Sequence, residues 1–246
     1  MKLLIDSGNT RFKWATLDDQ GEIDSHAILN EQITRELLIG IWTSLPRPDR
    51  LAIAGVGSAP LITLVYAVVD ELWTNLPVIS VKSEAQAYGV YNAYQQPEKL
   101  GVDRWLALIA AHHFYPGEAC VVDCGTAVTV DLINLAGKHL GGMICPGLTL
   151  MKKSLARGTA KLFFNDTLYE NGPANFTEAA IYNGTLLAVV GLIEHILNKQ
   201  VKPLCLILTG GDAELVAAHL GTKAIIDIDL VLRGLSIVLS ADSPNK

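Results

Sequence analysis

The chain of 246 residues is 50% hydrophobic and 18% charged, with a formal net charge of −6; this is material for one large domain or two of ordinary size. The acidic balance argues against a nucleic-acid surface, and no apolar run approaches the ~18–20 residues of a membrane span. Asp6 arrives before any signal-peptide core could form, so a cytoplasmic protein is expected.

In chain order, Leu3–Ile5 is an apolar run that stops at Asp6, and Ser7-Gly8-Asn9-Thr10 forms a turn into a second strand, Arg11–Leu17. Glu22–Ile28 reads as a third strand, and Glu31–Thr43 carries Leu and Ile at helical spacing until Pro46 and Pro48. A strand Arg50–Ala54 runs into Gly55-Val56-Gly57-Ser58, followed by a helix Leu61–Trp73 and a strand Pro77–Val81. The Tyr88–Lys99 stretch lacks periodicity and reads as a surface loop; the helix Arg104–Phe114 follows it.

The pattern then restarts. Ala119–Val122, Ala127–Asn134 and His139–Ile144 are expected strands, Pro146-Gly147 leads into a helix Leu148–Ala156, and residues 158–175 are irregular. Thr177–Lys199 is a long helix, and the strand Leu204–Leu208 ends in Thr209-Gly210-Gly211-Asp212. The helix Ala213–His219, the strand Lys223–Ile228 and the helix Leu230–Leu239 complete the set, with a fraying tail from Ala241 to Lys246. Each half therefore runs through three strands and then alternating helices and strands, with a boundary near Tyr115–Glu118. Cys120, Cys124, Cys145 and Cys205 show neither CxxC spacing nor a histidine cluster, and Cys120 and Cys205 lie in apolar runs, so buried thiols are expected.

Taken alone, the Asp6-x-Gly8-Asn9-Thr10 turn is an ordinary hairpin. Its design returns at Asp123-x-Gly125-Thr126, at the head of the second half, and two occurrences point to a duplicated domain. Glycine lets a backbone approach a phosphate chain, while successive N–H groups make an anion-binding concavity. Two such turns facing one another across a cleft, with a third glycine turn at Gly210-Gly211, suit a nucleoside triphosphate. The cations that could meet a polyanion in this acidic chain are Lys13, Arg104, Lys152, Lys153 and Arg157. Asp6 and Asp123 at strand ends could cap their turns, but they are read first as hard-cation ligands, because loops that take a triphosphate need a counter-charge beside it. Asp212 could serve as a helix N-cap. Asp103 beside Arg104 is open between N-cap and a proton-accepting carboxylate paired with a guanidinium that grips an acid. The histidines lack metal-ligand spacing, and neither GxSxG nor GxxxxGK[ST] is present.

The order Asp-x-Gly-Asn-Thr-x-x-Lys-Trp (6–14), Gly-x-Asp-Arg (101–104), Asp-x-Gly-Thr-Ala (123–127), Pro-Gly (146–147) and Thr-Gly-Gly-Asp-Ala (209–213) resembles type III pantothenate kinase, a family of the acetate and sugar kinase/Hsp70/actin superfamily. The resemblance implies an α/β fold of two similar actin-like, ribonuclease H-like domains, residues 1–115 and 116–246. Each would be a mixed five-stranded sheet flanked by helices, with a cleft between the two. It implies transfer of phosphate from ATP to pantothenate, the first step of coenzyme A synthesis, with Mg²⁺, a monovalent cation (K⁺ or NH₄⁺) and a homodimer that engages neither nucleic acid nor membrane. Carried over, Asp6, Ser7, Gly8, Asn9, Thr10, Arg11, Phe12, Lys13 and Thr126 would bind the ATP phosphates, and Gly210 and Gly211 would face adenosine. Asp123 would hold the monovalent cation, with Asp6 a candidate for Mg²⁺. Asp103 would be the base, and Gly101, Val102, Asp103, Arg104, Tyr94 and Thr177 would line the pantothenate site. Leu162-Phe163 departs from the Leu-Pro expected after Thr159-Ala160. Two alternatives stand beside this: another kinase of the superfamily acting on a sugar or short acid, and a nucleotide-binding accessory regulator.

Overall fold

A computed structural model describes residues 1–55, 57–158 and 167–242; Val56, Thr159-Ala160, Leu162-Phe163 and the last four residues of the tail lie outside the described residues. The chain separates into two compact units. One holds Met1–Phe114, Ala136–His139 and the stretch from Asp229 onward; the other holds Tyr115–Leu135 and Leu140–Ile228.

The first unit is built on a sheet of β1 (Lys2–Ser7), β2 (Arg11–Leu17), β3 (Ile23–Leu29), β4 (Leu51–Gly55) and β5 (Val78–Ser80), in the order β3-β2-β1-β4-β5. Short turns join β1, β2 and β3, so they pair antiparallel; α1 (Arg35–Trp42) precedes β4, and α2 (Ala59–Leu72) returns the chain to lay β5 parallel to β4. Leu3, Leu4 and Ile5 are all buried because β1 is central and covered on both faces. On one face Leu3, Ile5, Phe12, Trp14, Leu51 and Ile53 meet Leu38 and Trp42 of α1 and Leu61, Val65 and Val68 of α2. On the other, the register sets Ala15, Leu4 and Ala52 side by side. The small side chains of Ala15 and Ala52 flanking Leu4 accommodate α7 (Leu230–Ala241), which packs on β1, β4 and α3 (Val102–Phe114). The approach of α3 to α7 is close enough that a Cβ on Gly234 would lie 2.3 Å from the Leu106 carbonyl oxygen.

Two local differences from the sequence expectation have physical causes. The helix expected from Glu31 starts at Arg35, where the Thr34 hydroxyl accepts the Leu37 N–H at 3.2 Å. Ahead of it Asn30–Gln32 form a separate 3-10 turn, closed by the Ile33 N–H on the Asn30 carbonyl at 3.2 Å, while the Asn30 N–H donates to the Thr10 carbonyl at 2.9 Å. The expected loop Tyr88–Lys99 is partly ordered: β6 (Gln86–Ala87) and β7 (Val90–Tyr91) form a tight hairpin whose central residues Tyr88 and Gly89 have φ of 51° and 79°. Such a turn is usually signalled by Asn or Asp at its first position; here a tyrosine occupies it.

The second unit repeats the first. Its sheet contains β8 (Ala119–Cys124), β9 (Ala127–Ile133), β10 (His139–Pro146), β11 (Cys205–Thr209) and β12 (Ile225–Ile226), in the order β10-β9-β8-β11-β12. β8 is antiparallel to β9 and parallel to β11, as β1 is to β2 and β4. The last strand is shorter than the Lys223–Ile228 expected, and pairs with β11 only through Ile225 and Ile226. The helices are α4 (Leu148–Gly158), α5 (Thr177–Asn198) and the single turn α6 (Ala213–Ala217). Helix α5 has the length and composition of a membrane span, yet half of its apolar window is buried. Leu186, Val189, Val190 and Ile193 form the core with Val122, Val130, Leu206 and Leu208.

Cys120 and Cys124 are buried, whereas Cys145 and Cys205 are partly exposed, so the burial expected of Cys205 is only partial. Burial pushes the Cys120 thiol up to about 12 and raises Cys124 as well. Both thiols therefore stay protonated and unreactive near neutral pH. Ellman's reagent at pH 8 is expected to modify at most Cys145 and Cys205 in the native protein, the other two reacting only in denaturant.

Candidate active site

The turn after β1 is clamped from two sides. The Gly8 N–H donates to the Arg11 carbonyl at 3.0 Å, and Asn30 Nδ2 donates to the Gly8 carbonyl at 2.9 Å. From the other side the Gly57 N–H donates to the Ser7 carbonyl at 2.7 Å; a Cβ there would meet Ser7 Oγ at 2.7 Å and the Gly8 oxygen at 2.8 Å. Neither Asn30 nor Gly57 was marked by the motif, because their partners are distant in sequence. The clamped turn exposes Asn9, Thr10 and Arg11, while Asp6 is nearly buried and faces Lys13 across the β1–β2 register. Ser7 Oγ is fully buried without a hydrogen-bond partner among the described residues. The Phe12 side chain points into the core, with ring centroids 6.1 Å from Trp14 and 6.3 Å from Trp42. Only the main chain of Phe12 is available to a nucleotide.

A second constellation in this unit surrounds the start of α3. The Gly101 carbonyl accepts the Trp105 N–H at 3.0 Å, so the helix is capped at Gly101 rather than Asp103. Asp103 lies in the first turn, and its Oδ1 accepts the Arg104 N–H at 2.8 Å. A Cβ on Gly101 would sit 2.4 Å from that oxygen, so the carboxylate folds back only because residue 101 is glycine. Arg104 is buried, and its Nη1 donates to the Tyr94 hydroxyl at 2.8 Å. Tyr94 is held by Asn92, whose Oδ1 accepts the Tyr94 N–H at 3.0 Å. Asn92 Nδ2 in turn donates to the carbonyls of Glu84 and Pro97, each at 3.1 Å. Val102 stands half-exposed at the head of the helix. The structure thus gathers Tyr94, Gly101, Asp103 and Arg104, a carboxylate and a guanidinium set on one rigid helix start.

In the second unit three loops meet. Asp123 ends β8 opposite Thr129 and Thr209, the place Asp6 holds in β1. The Gly147 N–H donates to the Thr126 carbonyl at 2.9 Å, and a Cβ there would lie 2.1 Å from the Gly125 oxygen. The Asp212 N–H donates to the Cys124 carbonyl at 3.0 Å. Gly210 has φ of +93°, and a Cβ on it would meet Asp123 Oδ1 at 2.4 Å. Thr126 and Gly211 are exposed beside these bonds. Asp212 occupies the N-cap position of α6 but makes no side-chain cap bond, and one turn of helix carries little dipole. Lys152 is buried with its Nζ 5.6 Å from the Tyr182 ring centroid; Lys153 and Arg157 are exposed. Thr177 is the exposed first residue of α5.

Among the described residues no three His, Cys, Asp or Glu side chains gather into a metal site. The carboxylates of Asp6 and Asp123 nevertheless suit a hard cation that takes most of its oxygens from phosphate and water. Around Asp123 the absence of a Cβ on Gly210 and Gly125 keeps the carboxylate accessible beside backbone carbonyls.

Two sheets of one topology, each with an acidic glycine turn near the end of its central strand, make an actin-like α/β fold. A family model described as type III pantothenate kinase matches residues 2–199, and the chain belongs to that family. Curated relatives named type III pantothenate kinase include one from Nitrosococcus oceani, 37% identical over 97% of this chain and 93% of its own length. Another, from Laribacter hongkongensis, is 37% identical over 96% of this chain and 97% of its own. The fold is similar to that of the activator of the 2-hydroxyisocaproyl-CoA dehydratase from Clostridium difficile, solved with bound ADPNP, at TM-score 0.57 and 12% identity over 100% of this chain and 98% of that one.

Proposed function

We propose that the chain transfers the γ-phosphoryl group of ATP to the 4′-hydroxyl of pantothenate, opening coenzyme A synthesis. Family membership supports this reading, and the observation that carries it to particular atoms is the Asp103–Arg104–Tyr94 arrangement at the start of α3. Pantothenate offers a hydroxyl and a carboxylate, and a fixed carboxylate–guanidinium pair matches both. Asp103 accepts the hydroxyl proton as the new P–O bond forms. Arg104, with Tyr94, meets the substrate carboxylate, while Gly101 and Val102 shape the wall and Thr177 supplies a further contact.

The turn from Asp6 to Lys13 and the hydroxyl of Thr126 bind the phosphates, and Gly210 and Gly211 face adenosine. Positioning and charge stabilisation dominate phosphoryl transfer, so clamped backbone turns do most of the work. Asp6 would hold a divalent cation, which would supply charge neutralisation at the phosphates, and Asp123 would hold a monovalent cation, K⁺ or NH₄⁺. The duplicated halves 1–115 and 116–246 are proposed as the two evolutionary domains of a cytoplasmic enzyme without nucleic-acid or membrane partners. A homodimer is proposed through the second unit, where Leu140, Met143, Ile144, Leu150, Leu155 and Leu187 are exposed apolar side chains.

The test follows ADP release from the pure protein with ATP, Mg²⁺, K⁺ and either pantothenate or a panel of sugars. Turnover with pantothenate is expected. Turnover with sugars alone would assign the chain to another acceptor, and none with any acceptor would leave an accessory nucleotide-binding role. Exchanging K⁺ for Na⁺ at constant ionic strength is expected to slow the reaction; an equal rate in both would remove the role given to Asp123.

A further inference from the structure

His139 has no place in the proposed chemistry, yet it is the only fully buried histidine among the described residues. It comes from the 136–139 stretch that belongs to the first unit. Gly137 fixes that stretch: its carbonyl accepts the Tyr91 N–H at 2.9 Å, and it approaches so closely that a Cβ would lie 2.0 Å from the Gly89 oxygen. The imidazole is thereby delivered behind Tyr94. The two rings lie nearly parallel, 19° apart with centroids separated by 6.2 Å. His139 Nδ1 accepts the N–H of Ala93, the residue before Tyr94, at 3.4 Å.

We infer that His139 is a positioning residue for the acceptor site, fixing the Tyr94 ring and, through it, the guanidinium of Arg104. The inference rests on the reading of Tyr94 and Arg104 as pantothenate-binding groups. Asn92 already pins the Tyr94 main chain, but it leaves the ring free to turn about its side-chain bonds. The ring is only half-buried, so one face needs a rigid neighbour. A leucine at 139 would bury without the cost of a polar ring. Imidazole adds an acceptor for the Ala93 N–H, which an aliphatic side chain would not supply. The far end of the row is Arg104, whose Cζ lies 5.6 Å from the Tyr94 ring centroid and whose Nη1 bonds its hydroxyl. A shift of the tyrosine therefore carries the guanidinium with it.

Two variants separate the parts of this role. His139→Phe keeps a ring against Tyr94 and loses the acceptor; His139→Asn keeps an acceptor near Nδ1 and loses the ring. Both are measured by steady-state kinetics in each substrate, on protein shown by thermal melting to be folded; if one fails to fold, the other carries the test. KM for pantothenate is expected to rise by about tenfold, with KM for ATP and kcat within about twofold of wild type. Tyr94→Phe and Arg104→Lys are run beside them. If these two raise KM for pantothenate and the folded His139 variant does not, the positioning role is overturned and the acceptor site stands. If none of the four moves it, the acceptor site itself is wrong and the inference falls with it. Equal rises in both KM values would also overturn it, since they mark general loosening of the fold.

Discussion

Asp103→Asn is expected to lower kcat by about a hundredfold or more while leaving ATP affinity within about twofold of wild type. The substitution preserves size, and an amide oxygen can still accept the Arg104 N–H that Asp103 Oδ1 holds at 2.8 Å. The start of α3 should therefore survive, because its first backbone bond runs to the Gly101 carbonyl and not to the Asp103 side chain. What disappears is a group able to take a proton. An alcohol has a pKa far above neutrality, so its proton leaves only as the P–O bond forms, and that is when a fixed carboxylate matters. Steady-state turnover with pantothenate and a separate nucleotide titration provide the two readouts. Undiminished turnover would reduce Asp103 to a residue that stabilises a helix start.

Gly210→Ala is expected to raise KM for ATP by at least about tenfold. The φ of +93° disfavours any side chain, and the new Cβ would meet Asp123 Oδ1 at 2.4 Å and the Cys124 carbonyl carbon and oxygen at 2.6 Å. Two of those neighbours are backbone, so relief requires moving the turn or turning the Asp123 carboxylate away. The control is Gly184→Ala in α5, where nothing lies within 4 Å of the new methyl group. That variant is expected to be kinetically silent and to gain about 0.5–1 kcal/mol of stability. Kinetics and thermal melts on the pair distinguish a local distortion from general sensitivity to added volume. An unchanged KM for ATP in Gly210→Ala would remove this turn from the nucleotide site.

The duplication was legible because it is written locally. Asp6-x-Gly8 and Asp123-x-Gly125 each follow an apolar run, and the matching sheet orders show that both runs are central strands. Elements with strong periodicity, such as Leu61–Trp73 and Thr177–Lys199, were placed to within a few residues. The supports of the candidate site were not legible. Gly57 reaches Ser7, Asn30 reaches Gly8 and His139 reaches Ala93, contacts whose two ends share no local pattern. Phe12 shows the opposite failure: it lies inside the phosphate motif, and alternation along β2 turns its side chain into the core. The charge of Lys152 is legible in the sequence, but its burial with the ammonium group over the Tyr182 ring is not.

Helix α7 gives the first unit an unusual birth. The row of Ala15, Leu4 and Ala52 stays uncovered until residues 230–241 arrive, and a ribosome delivers those after all of residues 115–228. The portion of the chain made first is thus the portion finished last, its greasy underside bare throughout the intervening synthesis. Nascent chains stalled before Leu230 should be prone to capture by holding chaperones, even though they already carry every residue of the β1 turn and the start of α3.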